Sequence, residues 1–431
     1  MDELIQQTTL SNGLRIVTEH MPSVRTAAVG IYVGAGSRVE SASQHGISHF
    51  LEHLFFKGTD TRTALEIAQA ADDIGGQMNA FTDREQTVFY IKVLSAHLDR
   101  ALEIYADMLL RSTLAAESLE RERQVIIEEI KSYEDAPDEL VQDLFAQTVW
   151  DGHPLGRPVI GTLATVPLLS RADFVEFIGA YYRPDNVVIA VAGDVVHDDV
   201  VGRLTRHFGS WSGTSAQAPD VRPVGSPGVA TRFKETEQVH LCIGTEGLPQ
   251  ASDDQYALAV LDNILGGGLS SRLFQEIREQ RGLVYTITSY ASSYRDGGLV
   301  VIYAGMSPDA GPEVITLTLR ELDRIVLDPV ADAELQRAKE SLKANLMLSL
   351  ESTSSRMSKL ARGEIYYRRQ IGLDEIVGRI DAVSAADVRA LAERFFRPDR
   401  MAMAAVGPFR ADGELAGGMR AAFERHIRAR V

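Results

Sequence analysis

The sequence predicts an α+β protein built from two homologous α/β-sandwich domains, each a mainly antiparallel sheet packed by helices. Three observations carry that expectation. The stretch Tyr182-Arg183-Pro184-Asp185-Asn186-Val187-Val188-Ile189-Ala190-Val191-Ala192-Gly193 returns as Phe396-Arg397-Pro398-Asp399-Arg400-Met401-Ala402-Met403-Ala404-Ala405-Val406-Gly407, displaced by 214 residues, about half of the chain. Each half mixes short β-type runs with longer helical periods. At 431 residues the chain exceeds one ordinary core, and 45% hydrophobic residues suffice to fill two.

In chain order, residues 27–33 and 87–93 read as strands and 64–74 and 98–109 as helices. Residues 166–181 and 383–395 both read as amphipathic helices that run into an Arg-Pro-Asp turn and then a buried strand, one in each half. Residues 210–228, rich in Ser, Gly, Pro and Ala, read as a linker, so the expected domains are 1–209 and 229–431. Cys242 lies in the apolar strand-like run 239–243 and is expected in the core. As the only cysteine it excludes an intramolecular disulfide and argues against a Cys-ligated zinc site.

Charge narrows the function classes. With 44 basic against 60 acidic residues the formal charge is −16, which argues against nucleic acid as a partner. An acidic chamber that attracts cationic peptides and a simple solubilising surface both account for it. No membrane span is apparent. The start, Met1-Asp2-Glu3-Leu4-Ile5-Gln6-Gln7, shows neither a basic leader nor a long apolar run. A complete chain is on that ground expected in the cytoplasm.

His49-Phe50-Leu51-Glu52-His53 carries the chemistry. On a helix, positions i, i+3 and i+4 share a face, so both imidazoles and the Glu52 carboxylate meet there. Phe50, Leu51, Leu54 and Phe55 seat the helix in a core, and Gly58 after Lys57 stops it. Two imidazoles and a carboxylate on a largely apolar face are costly unless paired or bound to a metal. H-x-x-E-H is the inverted zincin pattern, with neutral imidazoles as ligands and the glutamate free to take a proton. Zinc of this kind needs a third protein ligand and leaves its fourth position to water. The helical run Arg121-Glu122-Arg123-Gln124-Val125-Ile126-Ile127-Glu128-Glu129-Ile130 offers it, with Val125, Ile126 and Ile130 as an apolar stripe and Glu122 and Glu129 two turns apart on one face. Periodicity alone leaves Glu128 and Glu129 both open.

Here the residues resemble the pitrilysin-type metallopeptidases, the mitochondrial processing peptidase and its bacterial relatives among them. The stretch from His49 to Thr59 is similar to that family's extended motif almost residue for residue. So are Gly75-Gly76-Gln77-Met78-Asn79-Ala80-Phe81-Thr82 with Glu85, Thr87 and Tyr90, and later His153-Pro154-Leu155-Gly156-Arg157-Pro158 with Gly161-Thr162. The resemblance implies a zinc endopeptidase with one Zn2+ per chain, bound by His49, His53 and Glu129. Glu122 would stand behind these ligands and Glu52 would be the general base. It also implies that the edge Asn79, Ala80, Phe81 and Thr82 pairs with an extended substrate. Phe56 matches an aromatic that packs against the first side chain after the cut, a core role being the alternative. Glu139 and Asp143, four apart on a helix after Pro137, match an acidic pair that holds a substrate arginine, a solvated helix face being the alternative.

The second half lacks the metal motif. Asn263-Ile264-Leu265-Gly266-Gly267-Gly268-Leu269-Ser270-Ser271-Arg272-Leu273 lies in its place and has no Walker lysine, which leaves a flexible substrate-facing loop. Arg278 and Tyr285 resemble the family's pair that holds a substrate carbonyl and stabilises the oxyanion from another domain. A surface arginine and a core tyrosine are the alternative. With both elements in one chain, a peptide-cleaving homodimer completed in trans is expected, its rival being a heterodimer with a zinc-less paralogue. The functional alternative is a non-catalytic assembly subunit of a larger complex.

Overall fold

The computed structural model describes residues 4–218, 221–409 and 413–429; residues 1–3 of the acidic start and 219–220 of the expected linker lie outside the described residues. One sheet holds β1 (Ile5–Thr9), β2 (Arg15–His20), β3 (Thr26–Val33), β4 (Gln77–Thr82), β5 (Thr87–Leu94) and β6 (Val187–Gly193), in the order β1-β2-β6-β3-β5-β4. The other holds β7 (Gly228–Phe233), β8 (Val239–Glu246), β9 (Val284–Ser293), β10 (Gly298–Met306) and β11 (Ala402–Gly407), in the order β7-β11-β8-β10-β9. Neighbours are antiparallel except β2 with β6 and β7 with β11. With β1 set aside, the two sheets share one order and one pattern of pairing, as the sequence repeat requires.

The helices of the first half are α1 (Ile47–Phe55), α2 (Ala64–Asp72), α3 (Leu98–Arg111), α4 (Ala116–Glu134), α5 (Pro137–Val149), α6 (Arg171–Tyr181) and α7 (His197–Phe208). Those of the second are α8 (Gln255–Leu265), α9 (Gly311–Leu327), α10 (Asp332–Ser349), α11 (Thr353–Arg362), α12 (Leu373–Ala382), α13 (Ala385–Phe395) and α14 (Glu414–Ala429). The repeat is visible atom by atom at α6 and α13. Each opens with a capping box, Ser170 with Asp173 and Ser384 with Asp387, in which the hydroxyl and the carboxylate satisfy orphan backbone donors reciprocally. Each then passes through a proline turn into a fully buried strand, β6 or β11. In β6, Val187, Ile189 and Val191 face one apolar cluster while Val188, Ala190 and Ala192 face another, so both sides of this central strand are covered.

The compact units differ from the contiguous domains expected from the sequence. One comprises Met1–Lys131, Pro158–Asp220 and Met347–Gly372; the other comprises Ser132–Arg157, Val221–Leu346 and Leu373–Val431. The main crossing falls inside 210–228, but each unit also takes a helix from the other half. Met357, Leu360 and Ala361 of α11 cover Val17, Ala28, Tyr32 and Val188 of the first sheet. Leu140, Val141, Phe145 and Val149 of α5 cover Cys242, Leu299, Val301 and Ala404 of the second. A sheet with two apolar faces needs both covered, and in each unit the remaining helices cover only one. Cys242 is fully buried in β8. No helix among the described residues is long and apolar enough to cross a membrane.

Candidate active site

Helix α1 begins at Gly46, whose φ of +96° suits glycine, and Gly46 offers no capping side chain. Glu40, buried in the segment that leads into the helix, serves instead. Its carboxylate accepts from the backbone N–H of Gly46 at 2.8 Å and of Ser48 at 2.9 Å. A loop braces the same turn, with the His45 ring 2.6 Å from the Pro158 carbonyl. Ile47, Ser48, Phe50, Leu51, Leu54 and Phe55 are buried. His49, Glu52 and His53 are thereby left together on the half-exposed face.

Helix α4 seats itself through Leu119, Ile126 and Ile130. Val125 does not belong to that stripe; it is 41% exposed, because it lies one residue off the inward face. Arg123 pins the helix by donating to the carbonyls of Val166 at 2.6 Å and Leu169 at 2.8 Å. Glu129 then faces α1, whereas Glu128 turns outward and pairs with Lys131 at 2.7 Å.

Glu129 Oε2 lies 4.0 Å from His49 Nε2 and 3.7 Å from His53 Nε2, and the three donor atoms fall within 4.8 Å of one another. These separations are too long for hydrogen bonds. They suit three ligands of one ion held at roughly 2.0–2.1 Å. The imidazole rings meet edge to face, with centroids 4.8 Å apart. Burial, and then the neighbouring His53, holds the His49 pKa down to about 4, so the imidazole is neutral at neutral pH, the form a metal takes. Nδ1 of His53 faces Glu122 Oε2 at 3.4 Å, and Glu122 Oε1 accepts from Lys57 at 2.9 Å. A carboxylate behind a histidine fixes which ring nitrogen stays free for the ion. Burial pushes the Glu52 carboxyl above its ordinary range, and a hydrogen bond from Thr82 opposes that.

The other expected residues divide between the units. Asn79, Ala80, Phe81 and Thr82 lie on β4, an edge strand; Asn79 and Phe81 are exposed, Ala80 and Thr82 half-buried. Phe56 packs half-buried against the core beside Phe89, with ring centroids 6.4 Å apart. Glu139 and Asp143 belong to the second unit and do not form one solvated face: Glu139 is exposed, while Asp143 is buried and accepts from the Tyr133 hydroxyl at 2.7 Å. Also in the second unit, Arg278 is exposed with its guanidinium 4.9 Å from the Phe274 ring centroid. Tyr285 is 63% exposed on the edge strand β9, so it is no core tyrosine. Residues 257–265 repeat the order of buried and half-buried positions of 47–55. Ala259, Asp262 and Asn263 therefore stand where α1 carries His49, Glu52 and His53, and Gly266 follows as the helix ends. The roles of Glu40, Lys57 and Thr82 at the site were not read from the sequence. The sequence offered Thr82 only as part of an exposed edge that pairs with substrate; the structure puts it on the half-buried side of β4 with Met78 and Ala80.

Two family models match: Insulinase (Peptidase family M16) over residues 15–163, and Peptidase M16 inactive domain over residues 169–342. A Bacillus subtilis protein named as an uncharacterized zinc protease, YmxG, is 42% identical over 405 residues, covering 94% of this chain and 98% of its own. Another uncharacterized zinc protease, ML0855 of Mycobacterium leprae, is 40% identical over 408 residues, covering 94% and 92%. The crystal structure of a protease from Helicobacter pylori superposes with a TM-score of 0.88 at 26% identity, over 93% of this chain and 99% of that one. A chain of Complex III2 from Candida albicans superposes at 0.82 with 21% identity, over 97% and 99%, a likeness of fold alone. Two matched models in tandem, and relatives this similar over nearly the whole chain, make it a member of peptidase family M16, a zinc metallopeptidase.

Proposed function

We propose that the chain is an endopeptidase that cuts extended, often basic peptides or presequence-like segments inside a clam-shell chamber. The observation that carries this is the convergence of His49, His53 and Glu129 beside an acidic group, Glu52, that takes no part in the cluster. Those three residues would hold zinc. When bound, zinc supplies Lewis acidity that lowers the pKa of water and polarises a peptide carbonyl.

The remaining work falls to side chains. Glu52 takes the proton of the attacking water and returns it to the leaving amine. Glu122 holds His53 in register. The open edge of β4 at Asn79 to Thr82 pairs with the substrate backbone, and Phe56 packs against the side chain after the cut. Tyr285 donates to the developing oxyanion, and Arg278 holds a neighbouring carbonyl. Glu139 and Asp143 select basic side chains. Exposure of Tyr285 and Arg278 supports a role toward a partner surface, and the chamber closes as a homodimer in which each site receives that pair from the other copy.

Mixing two inactive variants tests the arrangement. Glu52→Gln combined with Tyr285→Phe after subunit exchange restores about a quarter of wild-type cleavage of an arginine-containing fluorogenic peptide, the yield of one intact site in half of the dimers. No recovery, with activity only on adding a different protein, would replace the homodimer by a heterodimer.

A further inference from the structure

We infer that Thr82 is a positioning residue for Glu52, so that the strand offered to the substrate also aims the base. Its hydroxyl donates to Glu52 Oε2 at 2.6 Å. Hydrogen accounting fixes the direction. Thr82 pairs in register with Thr87, whose own hydroxyl is fully buried and donates to the Ala35 carbonyl at 2.9 Å. Thr87 thus has no hydrogen left for Thr82, and the two hydroxyl oxygens stand 3.4 Å apart. Thr82 has one hydrogen and two acceptors in reach, the Thr87 hydroxyl at 3.4 Å and the carboxylate at 2.6 Å, and the far shorter bond takes it.

Backbone geometry makes this aim rigid. Thr82 is the last residue of β4, on the half-buried face that it shares with Met78 and Ala80, while Asn79 and Phe81 face outward. Its side chain is therefore directed back at α1 by strand alternation. The base then cannot swing without breaking a bond to the strand on which the substrate would lie. A hydrogen bond to a charged acceptor is short and directional, which suits the orientation of one carboxylate oxygen. A general base contributes about 10²–10⁴-fold when correctly placed, so misdirection has room to show.

This inference rests on the proposed role of Glu52 as base. The test compares Thr82→Val, nearly isosteric but without the hydroxyl, with Thr82→Ser, which keeps it. Full-length protein is loaded with zinc, and its metal content and thermal midpoint are recorded. With an arginine-containing fluorogenic peptide, Thr82→Val is expected to lower kcat by roughly 10–100-fold with KM within about twofold, and Thr82→Ser to restore most of the loss. Zinc content stays at the wild-type level in both. A change confined to KM would assign Thr82 to substrate contact and overturn the inference, as would equal impairment of the serine variant. Crystal structures of the zinc-loaded wild type and Thr82→Val give an outcome independent of turnover. Glu52 is expected in one orientation in the first and displaced in the second; an unmoved carboxylate overturns the inference even if no peptide is cleaved, whereas absent cleavage alone counts against the proposed activity.

Discussion

Lys57 and Glu122 form an ion pair at 2.9 Å, and the other oxygen of that carboxylate faces Nδ1 of His53 at 3.4 Å. Glu122 is buried, so its charge is compensated on one side by the ammonium and used on the other to orient the imidazole. The site is thus supported one layer beyond the atoms that would touch a metal.

Glu122→Gln is expected to weaken zinc binding by about 10–100-fold, the usual cost of removing a carboxylate that orients a histidine ligand. Competition with a chromophoric chelator measures this directly. An affinity equal to wild type would show that His53 needs no such support.

Glu40 is a structural prediction of a different kind. Substitution by Ala leaves the N–H groups of Gly46 and Ser48 without their buried acceptor. Two bonds to a charged acceptor are worth roughly 3–5 kcal/mol together, so denaturant unfolding is expected to show a loss of that order. Glu40→Gln, which keeps one acceptor oxygen, is expected to lose less.

Asp262 stands in the second unit at the position that Glu52 holds in the first. Burial raises its pKa to about 6, against an opposing hydrogen bond from Ser289. Because the folded-state value lies above the ordinary one of about 3.9, the protonated form is favoured by folding. The stability that this lends is full below about pH 4 and is lost as pH rises through about 6. Asp262→Asn is therefore expected to be close to neutral at pH 4 and stabilising above pH 6, by up to about 3 kcal/mol at 1.36 kcal/mol per pKa unit. Equal effects at both pH values would contradict the assignment.

Cys242 is fully buried, and burial pushes its thiol pKa far up. Native protein is expected to resist a thiol-specific chromogenic reagent until denaturant is added, after which one thiol per chain reacts. Rapid modification of the native chain would mean that β8 is accessible.

Much of the site was legible because its signals are local. The i, i+3, i+4 spacing of His49, Glu52 and His53 fixes a shared helix face, and the Arg-Pro-Asp turns mark the repeat wherever the chain folds. Glu129 became distinct from Glu128 only through resemblance, and in the structure through the outward turn of Glu128 toward Lys131. The exchange of α5 and α11 was not legible: an amphipathic helix declares that it has an apolar face, not which sheet will cover it. Asp143 illustrates the same limit, since it is buried and bonded to Tyr133 of α4, a contact that helix periodicity does not announce. Glu40, and the bond of Thr82 to Glu52, escaped because their partners lie on other elements, where no spacing rule connects them.

Zinc stoichiometry together with kcat for the purified wild type and Glu52→Gln probes the metal site and its base at once. One zinc per chain is expected in both, with peptide cleavage by the wild type that a chelator abolishes and zinc restores, and a kcat at least ~10²-fold lower in the variant. No zinc in the wild type, or undiminished cleavage by Glu52→Gln, would contradict that expectation.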